Sequence, residues 1–276
     1  MNPLQPFALG LEAMRRALVG LLRVPYGRAW LLLTAVLGAV VVALAWAAHP
    51  ALSWFLAPLL ERSHLPGMLR YPEHFEALPV LTRRTIAIAS VTVIPALSAL
   101  TMIRARARWT NLPEPAVGHS LRRTPVYLLT PMPVLLVIGA MHAALPLLDG
   151  VRLSSITRAA IPFAVSFLSI LLLASWAWML PRVALANRSL LTVWREWPRH
   201  VARGFIPALI VIGSVFLGLH PFERALDGAS HGAGTGNPEI VVAFALARVA
   251  AMSIAAVLVA LAMALLHEAV PMEDEP

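Results

Sequence analysis

The chain has 276 residues, of which 59% are hydrophobic and only 13% charged, with a mean hydropathy of +0.76. A water-soluble domain is about half apolar and about a quarter charged, so this composition excludes a soluble globule and implies an integral membrane protein. The formal net charge is +8, every basic residue is Arg, and Cys is absent, which removes disulfides, Fe–S clusters and thiol nucleophiles.

The first residues, MNPLQPFALGLEAMRR, lack a short apolar core followed by a small-residue cleavage site, so no removable signal peptide is expected. In FALGLEAMRRALVGLLR, Phe7, Leu11, Met14, Leu18 and Leu21 share one helical face, while Glu12, Arg15, Arg16 and Arg23 point elsewhere. Such a helix lies in the membrane interface with its apolar face down and its arginines reaching phosphates. Six apolar stretches follow, roughly 29–48, 85–103, 124–146, 159–180, 204–220 and a longer 240–267. Their lengths match a hydrocarbon core of about 30 Å. Backbone in hydrocarbon must satisfy its own hydrogen bonds, so each is expected to be a helix. Pro95, Pro131, Pro133 and Pro207 fall inside these stretches and are expected to kink them. Between the first two, Leu52, Phe55, Leu56, Leu59 and Leu60 keep one face of a short interfacial helix. The expected fold is all-α: a single integral membrane domain over 1–276, with six transmembrane helices and cytoplasmic amphipathic helices.

Orientation follows from the arginines flanking the stretches. One side carries fourteen, the other seven, and the carboxylates divide evenly. The arginine-rich side is expected to be cytoplasmic, with both termini on it. Trp30, Trp46, Trp54, Trp176 and Trp178 fall at or near the ends of stretches, where amphipathic rings favour the headgroups. Arg-only basic usage fits a GC-rich bacterial genome, hence a bacterial inner membrane. The positive charge sits beside spans and forms no separate basic domain, so no nucleic-acid partner is expected.

The approaches to the odd-numbered stretches resemble one another: LLRVPYGRAWLLLTAVLGA (21–39), LRRTPVYLLTPMPVLLVIGA (121–140) and WREWPRHVARGFIPALIVIGS (194–214). In each, Arg precedes a proline (Pro25, Pro125, Pro198), and an apolar run then reaches a glycine (Gly38, Gly139, Gly213). The reading is a threefold unit, about 7–103, 114–180 and 184–267. In each unit a surface helix ends at a proline corner, a span enters the bilayer and a second span returns. The stretch ALANRSLLTVWREWPRHVARGFIPALIVIG (184–213) resembles the six-helix membrane domain associated with glycerophosphoryl diester phosphodiesterases and related bacterial membrane proteins. The resemblance implies a polytopic helical domain. It carries over neither phosphodiesterase activity nor site residues, because no soluble phosphodiesterase domain is present.

The chemistry-bearing residues are few. Arg248 is the one clear ionisable residue inside a predicted span. It stands at headgroup level if the hydrocarbon run starts at Val249, and about 12 Å deep if it starts at Ile240. No carboxylate lies within another predicted span to meet it, so a lipid phosphate, a substrate anion or backbone carbonyls are its expected partners. Lipid or anion contacts are expected at Arg248, Arg15, Arg16, Arg122, Arg123 and Arg195. His49, His142 and His220 sit near the outer ends of odd-numbered stretches and are the only candidates for a metal or axial cofactor site. None forms an i,i+4 pair, and no metal or cofactor is expected. HGAGTGN (231–237) lacks the Lys-Ser/Thr of a phosphate-cradling loop, and serine-elbow and zinc-protease motifs are missing. The expectation is a non-catalytic membrane subunit or permease-like component handling lipid-like or amphipathic cargo. Membrane lipids and protein subunits, including a separate ATPase, are its expected partners. The alternatives are a scaffold or assembly factor of an envelope complex, and an outer-face enzyme using the three histidines.

Overall fold

The computed structural model describes residues 5–22, 27–46, 58, 74–111, 122–145, 154–231 and 238–270, and among them every regular element is a helix. In chain order these are α1 (Gln5–Leu22), α2 (Gly27–Ala45), α3 (His74–Thr92), α4 (Ile94–Trp109) and α5 (Thr124–Leu129). Then come α6 (Met132–Ala144), α7 (Ser155–Trp176), α8 (Met179–Ala184), α9 (Leu190–His231) and α10 (Pro238–Ala269). His49, Pro25 and the apolar face predicted at Leu52, Phe55, Leu56, Leu59 and Leu60 lie outside the described residues.

Among the described residues, four helices are long and apolar enough to cross a membrane: α2, the α7–α8 segment, α9 and α10. A fifth crossing arises if α3 and α4, bent by 52° at their junction, count as one span. The bend falls at Val93, and Pro95 two residues later has no N–H to return to the preceding turn. The stretch 124–146 is divided into α5 and α6. Pro131 and Pro133 cannot donate to the carbonyls of Tyr127 and Leu129, so the helix stops at Thr130 and restarts at Met132.

Pro198 behaves otherwise, and this corrects the proline-corner reading of the third approach. It lies inside α9, which runs unbroken for 42 residues through Pro198, Pro207 and Pro221. Each proline removes one backbone bond, a penalty of about 3 kcal/mol in an isolated helix. Burial of Val193, His200, Gly204, Ala208 and Val211 along one face keeps the helix whole. Pro125, in turn, sits in the first turn of α5.

The chain forms two compact units. The first comprises residues 1–24, 91–216 and 257–276. Its core joins Ala99 of α4, Tyr127 of α5, Met179, Val183 and Ala184 of α8 and Val193 of α9. Three indoles tie this core to the backbone. Trp176 Nε1 donates to Thr130 O at 2.7 Å and Trp197 Nε1 to Ser175 O at 2.9 Å. Both carbonyls belong to the last turns of α5 and α7, where the intrahelical donors run out. Trp178 Nε1 donates to Gly204 O at 2.7 Å, with the ring lying on the Gly204 backbone. Trp176 and Trp197 also touch, their ring centroids 5.4 Å apart.

On α1 the small residues Gly10, Ala13 and Ala17 are buried, while Phe7, Leu11 and Leu18 of the predicted apolar stripe are exposed. A Cβ at Gly10 would come within 3.0 Å of Pro207 O and Ile210 Cβ, so only glycine lets α1 lie this close to α9. α1 thus turns its small face to protein and its apolar stripe outward, as an interfacial helix requires.

The second unit comprises residues 25–90 and 217–256. Trp30, Leu33, Leu37, Val41 and Ala45 form the buried stripe of α2, and Gly38 faces Leu246 of α10. Val241, Ala245 and Val249 are the buried stripe of α10, and Leu226 its counterpart on α9. Leu31, Leu32 and Val36 of α2 remain exposed, apolar surface that suits lipid contact.

Candidate functional site

The second unit holds a cluster of three charges. Arg248 of α10 is buried, its side chain 9% exposed, and its Nη2 pairs with Glu223 Oε1 of α9. The other carboxylate oxygen of Glu223 lies 3.5 Å from Arg83 Nε of α3. Glu223 and Arg83 are 35% and 44% exposed, so the cluster runs from interior to surface. Arg84 and Arg224, the sequence neighbours of two of its members, are exposed as well.

The chain builds this cluster from helix continuity. Glu223 lies three residues beyond the predicted end of the fifth span, yet α9 continues through His220 and Pro221 to His231. That extension brings the carboxylate alongside α10. The expectation that no carboxylate meets Arg248 is therefore corrected: the partner comes from an extension of the neighbouring helix. Along α10, residues 249–266 carry no charge, eighteen residues or about 27 Å. Along α9, residues 204–222 carry no charged side chain, nineteen residues or about 29 Å. Each run is close to a hydrocarbon thickness of about 30 Å.

Two guanidinium groups share the Glu223 carboxylate. Arg248 needs its carboxylate, because a buried charge stripped of its partner is strongly destabilising. Arg83 is less enclosed and presents a planar fork suited to bidentate recognition of phosphate or carboxylate. No protein-family model, curated protein or solved structure matches the chain.

The other predicted arginines stand apart from this cluster. Arg15 and Arg16 are exposed on α1 and both bind Glu12, with 2.7 Å contacts from each Nε. Arg122 is exposed. Arg123 of the first unit donates to Asn187 Oδ1 and, at 3.2 Å, to Arg188 O, with its charge 6.0 Å from the Tyr127 ring centre. Arg106 Nη1 donates to Leu185 O at 2.8 Å, and its Nε lies 2.8 Å from Glu268. Two arginines thereby pin the turn between α8 and α9, where Asn187 takes a left-handed φ of 55°, a conformation Asn tolerates better than most residues. Arg195 is exposed on α9.

Among the histidines, His142 and His220 are exposed, and His142 Nε2 lies 3.5 Å from Ser169 Oγ. Among the described residues no three His, Cys, Asp or Glu side chains are placed to hold a metal ion. Sequence reasoning missed Arg83 and Glu223 as site members. The available signal was the helix-favouring stretch FERAL (222–226) directly after the fifth apolar run.

Proposed function

We propose that the chain is a non-catalytic, permease-like component of a bacterial inner-membrane complex, taking anionic lipid-like cargo at the Arg83–Glu223–Arg248 cluster. The observation that supports this most is a buried arginine paired with a carboxylate that a more exposed arginine also approaches. Ionisable groups among membrane helices are costly and mark functional sites by default. In this reading the uncharged runs beside Arg248 and Glu223 lie in hydrocarbon and the cluster at headgroup depth, with Arg83 reaching a phosphate and neighbouring apolar helix faces taking acyl chains. In this reading all six apolar stretches cross. α5 and α6 together supply the third, both termini are cytoplasmic, the cluster faces outward, and a separate ATPase is the expected energy source.

The test is native mass spectrometry of the protein released from nanodiscs holding equal phosphatidylglycerol and phosphatidylcholine. Wild type should retain phosphatidylglycerol preferentially. Arg83→Ala should cut that preference about tenfold, the equivalent of one charge-assisted hydrogen bond of about 1.5 kcal/mol. Equal retention of both lipids by wild type, or an unchanged preference in Arg83→Ala, would sink the reading.

A further inference from the structure

α1 carries three faces, each about a third of the helical circumference from the next. Gly10, Ala13 and Ala17 are buried against protein, with Leu9, Met14 and Leu21 half-buried at the margins of that face. Phe7, Leu11 and Leu18 form an apolar stripe between 47% and 61% exposed. Arg15 and Arg16 are exposed on the third face, where both bind Glu12. The fully buried positions thus offer protein a hydrogen and two methyl groups, while three large apolar side chains stay uncovered.

What covers them follows from where α1 crosses its neighbours in the first unit. Towards one end, a Cβ at Gly10 would come within 3.0 Å of Pro207 O and Ile210 Cβ of α9. Towards the other, a Cβ at Gly20 would meet Leu261 Cδ1 of α10 at 3.8 Å. Pro207 and Ile210 stand four and seven residues past Arg203, about 6 and 10 Å into the uncharged run of α9. Leu261 stands six residues before His267, about 9 Å into the uncharged run of α10. These charged ends lie on one side of the unit, because Arg106 donates to Leu185 O just ahead of α9 and pairs with Glu268 at the end of α10, both at 2.8 Å. The ten residues between the two crossings cover about 15 Å, yet both crossings keep a similar distance from the charged ends. α1 therefore runs across α9 and α10, close to the membrane plane, at the depth of about 5–10 Å typical of interfacial helices. Beside the bundle at that depth the medium is acyl chain, so lipid covers the stripe.

We propose that α1 is a lipid-held brace. The acyl layer beside the charged ends of α9 and α10 receives Phe7, Leu11 and Leu18, and α1 stays seated across both helices only while it does. The packing of one leaflet thereby sets whether the two helices are braced. The partner is a lipid surface, and the cargo reading is not needed for it.

Because the chain has no native Cys, nitroxide labels can be placed singly at Phe7→Cys, Leu11→Cys and Leu18→Cys, with Ala8→Cys on the charged face as reference. In phosphatidylcholine–phosphatidylglycerol nanodiscs, oxygen should relax the first three more than a nickel chelate does, and the order should reverse at Ala8→Cys. Depths at positions 7 and 18 should agree within about 5 Å, whereas an upright helix would separate them by eleven rises, about 16 Å. The seat is read by spin–spin distances between Ala8→Cys and Ser189→Cys in the turn ahead of α9. One narrow distance is expected, and adding Leu11→Asp and Leu18→Asp should spread it into a broad distribution, with thermal unfolding showing that the bundle is kept. If that variant unfolds, Leu11→Ser with Leu18→Ser carries the same test. Nickel access along the stripe, or exclusion of both relaxants from it by covering protein, would overturn the proposal. So would a depth difference near 16 Å, or a narrow distance that survives the double substitution.

Discussion

Replacing Gly204 by Ala would set a methyl group into the indole of Trp178, which is fully buried and donates its N–H to the Gly204 carbonyl at 2.7 Å. The overlap is with the ring itself rather than a flexible chain end, so either the helix or the indole must move. Overpacking of this kind costs about 1–3 kcal/mol. Shifting the indole also strands a buried donor, a further cost of about 1–3 kcal/mol. Alanine returns about 1 kcal/mol of helix propensity in the interior of α9. The net expectation is destabilisation by about 2–3 kcal/mol. Unfolding of the reconstituted protein, followed by SDS titration in mixed micelles, measures it. Trp178→Phe in the Gly204→Ala background should recover part of the loss, because the smaller ring frees space and has no donor to satisfy. Gly204→Ala within about 0.5 kcal/mol of wild type, the range of an ordinary surface substitution, would refute the claim that Trp178 locks α9.

Two further expectations concern α1 and the orientation of the chain. Arg15 and Arg16 donate to Glu12 and hold its carboxyl at about 2 rather than 4.5. A depressed carboxylate contributes stability in full above its ordinary value and loses it as pH falls toward the folded one. The α1 arrangement should therefore be indifferent to pH above about 4.5 and weaken between there and about 2; a Glu12 carboxyl carbon titrating near 4.5 by NMR would refute it. For orientation, Ser230→Cys should react with an impermeant reagent added outside intact cells and Ser189→Cys should not; the reverse pattern would overturn the assigned sidedness.

Much of the helical plan was legible because hydrocarbon length and apolar runs are sequence properties. The predicted first span at 29–48 appears as α2, Gly27–Ala45, and the last at 240–267 lies within α10. Proline was the harder signal. The paired Pro131 and Pro133 break a helix, whereas Pro198, Pro207 and Pro221 sit inside one. Local propensity is the same in both cases, and the face buried around Val193 and Gly204 decides the second outcome. Glu223 falls beyond the fifth predicted stretch for the same reason, since its alignment with Arg248 exists only once α9 is known to continue. Residues far apart in sequence, such as Trp178 with Gly204 or Arg123 with Asn187, meet through packing that no local pattern encodes.

The unbroken course of α9 also has a mechanical meaning. Its three prolines leave the carbonyls of Trp194, Arg203 and Leu217 without an amide donor, so flexing of the helix concentrates at those levels.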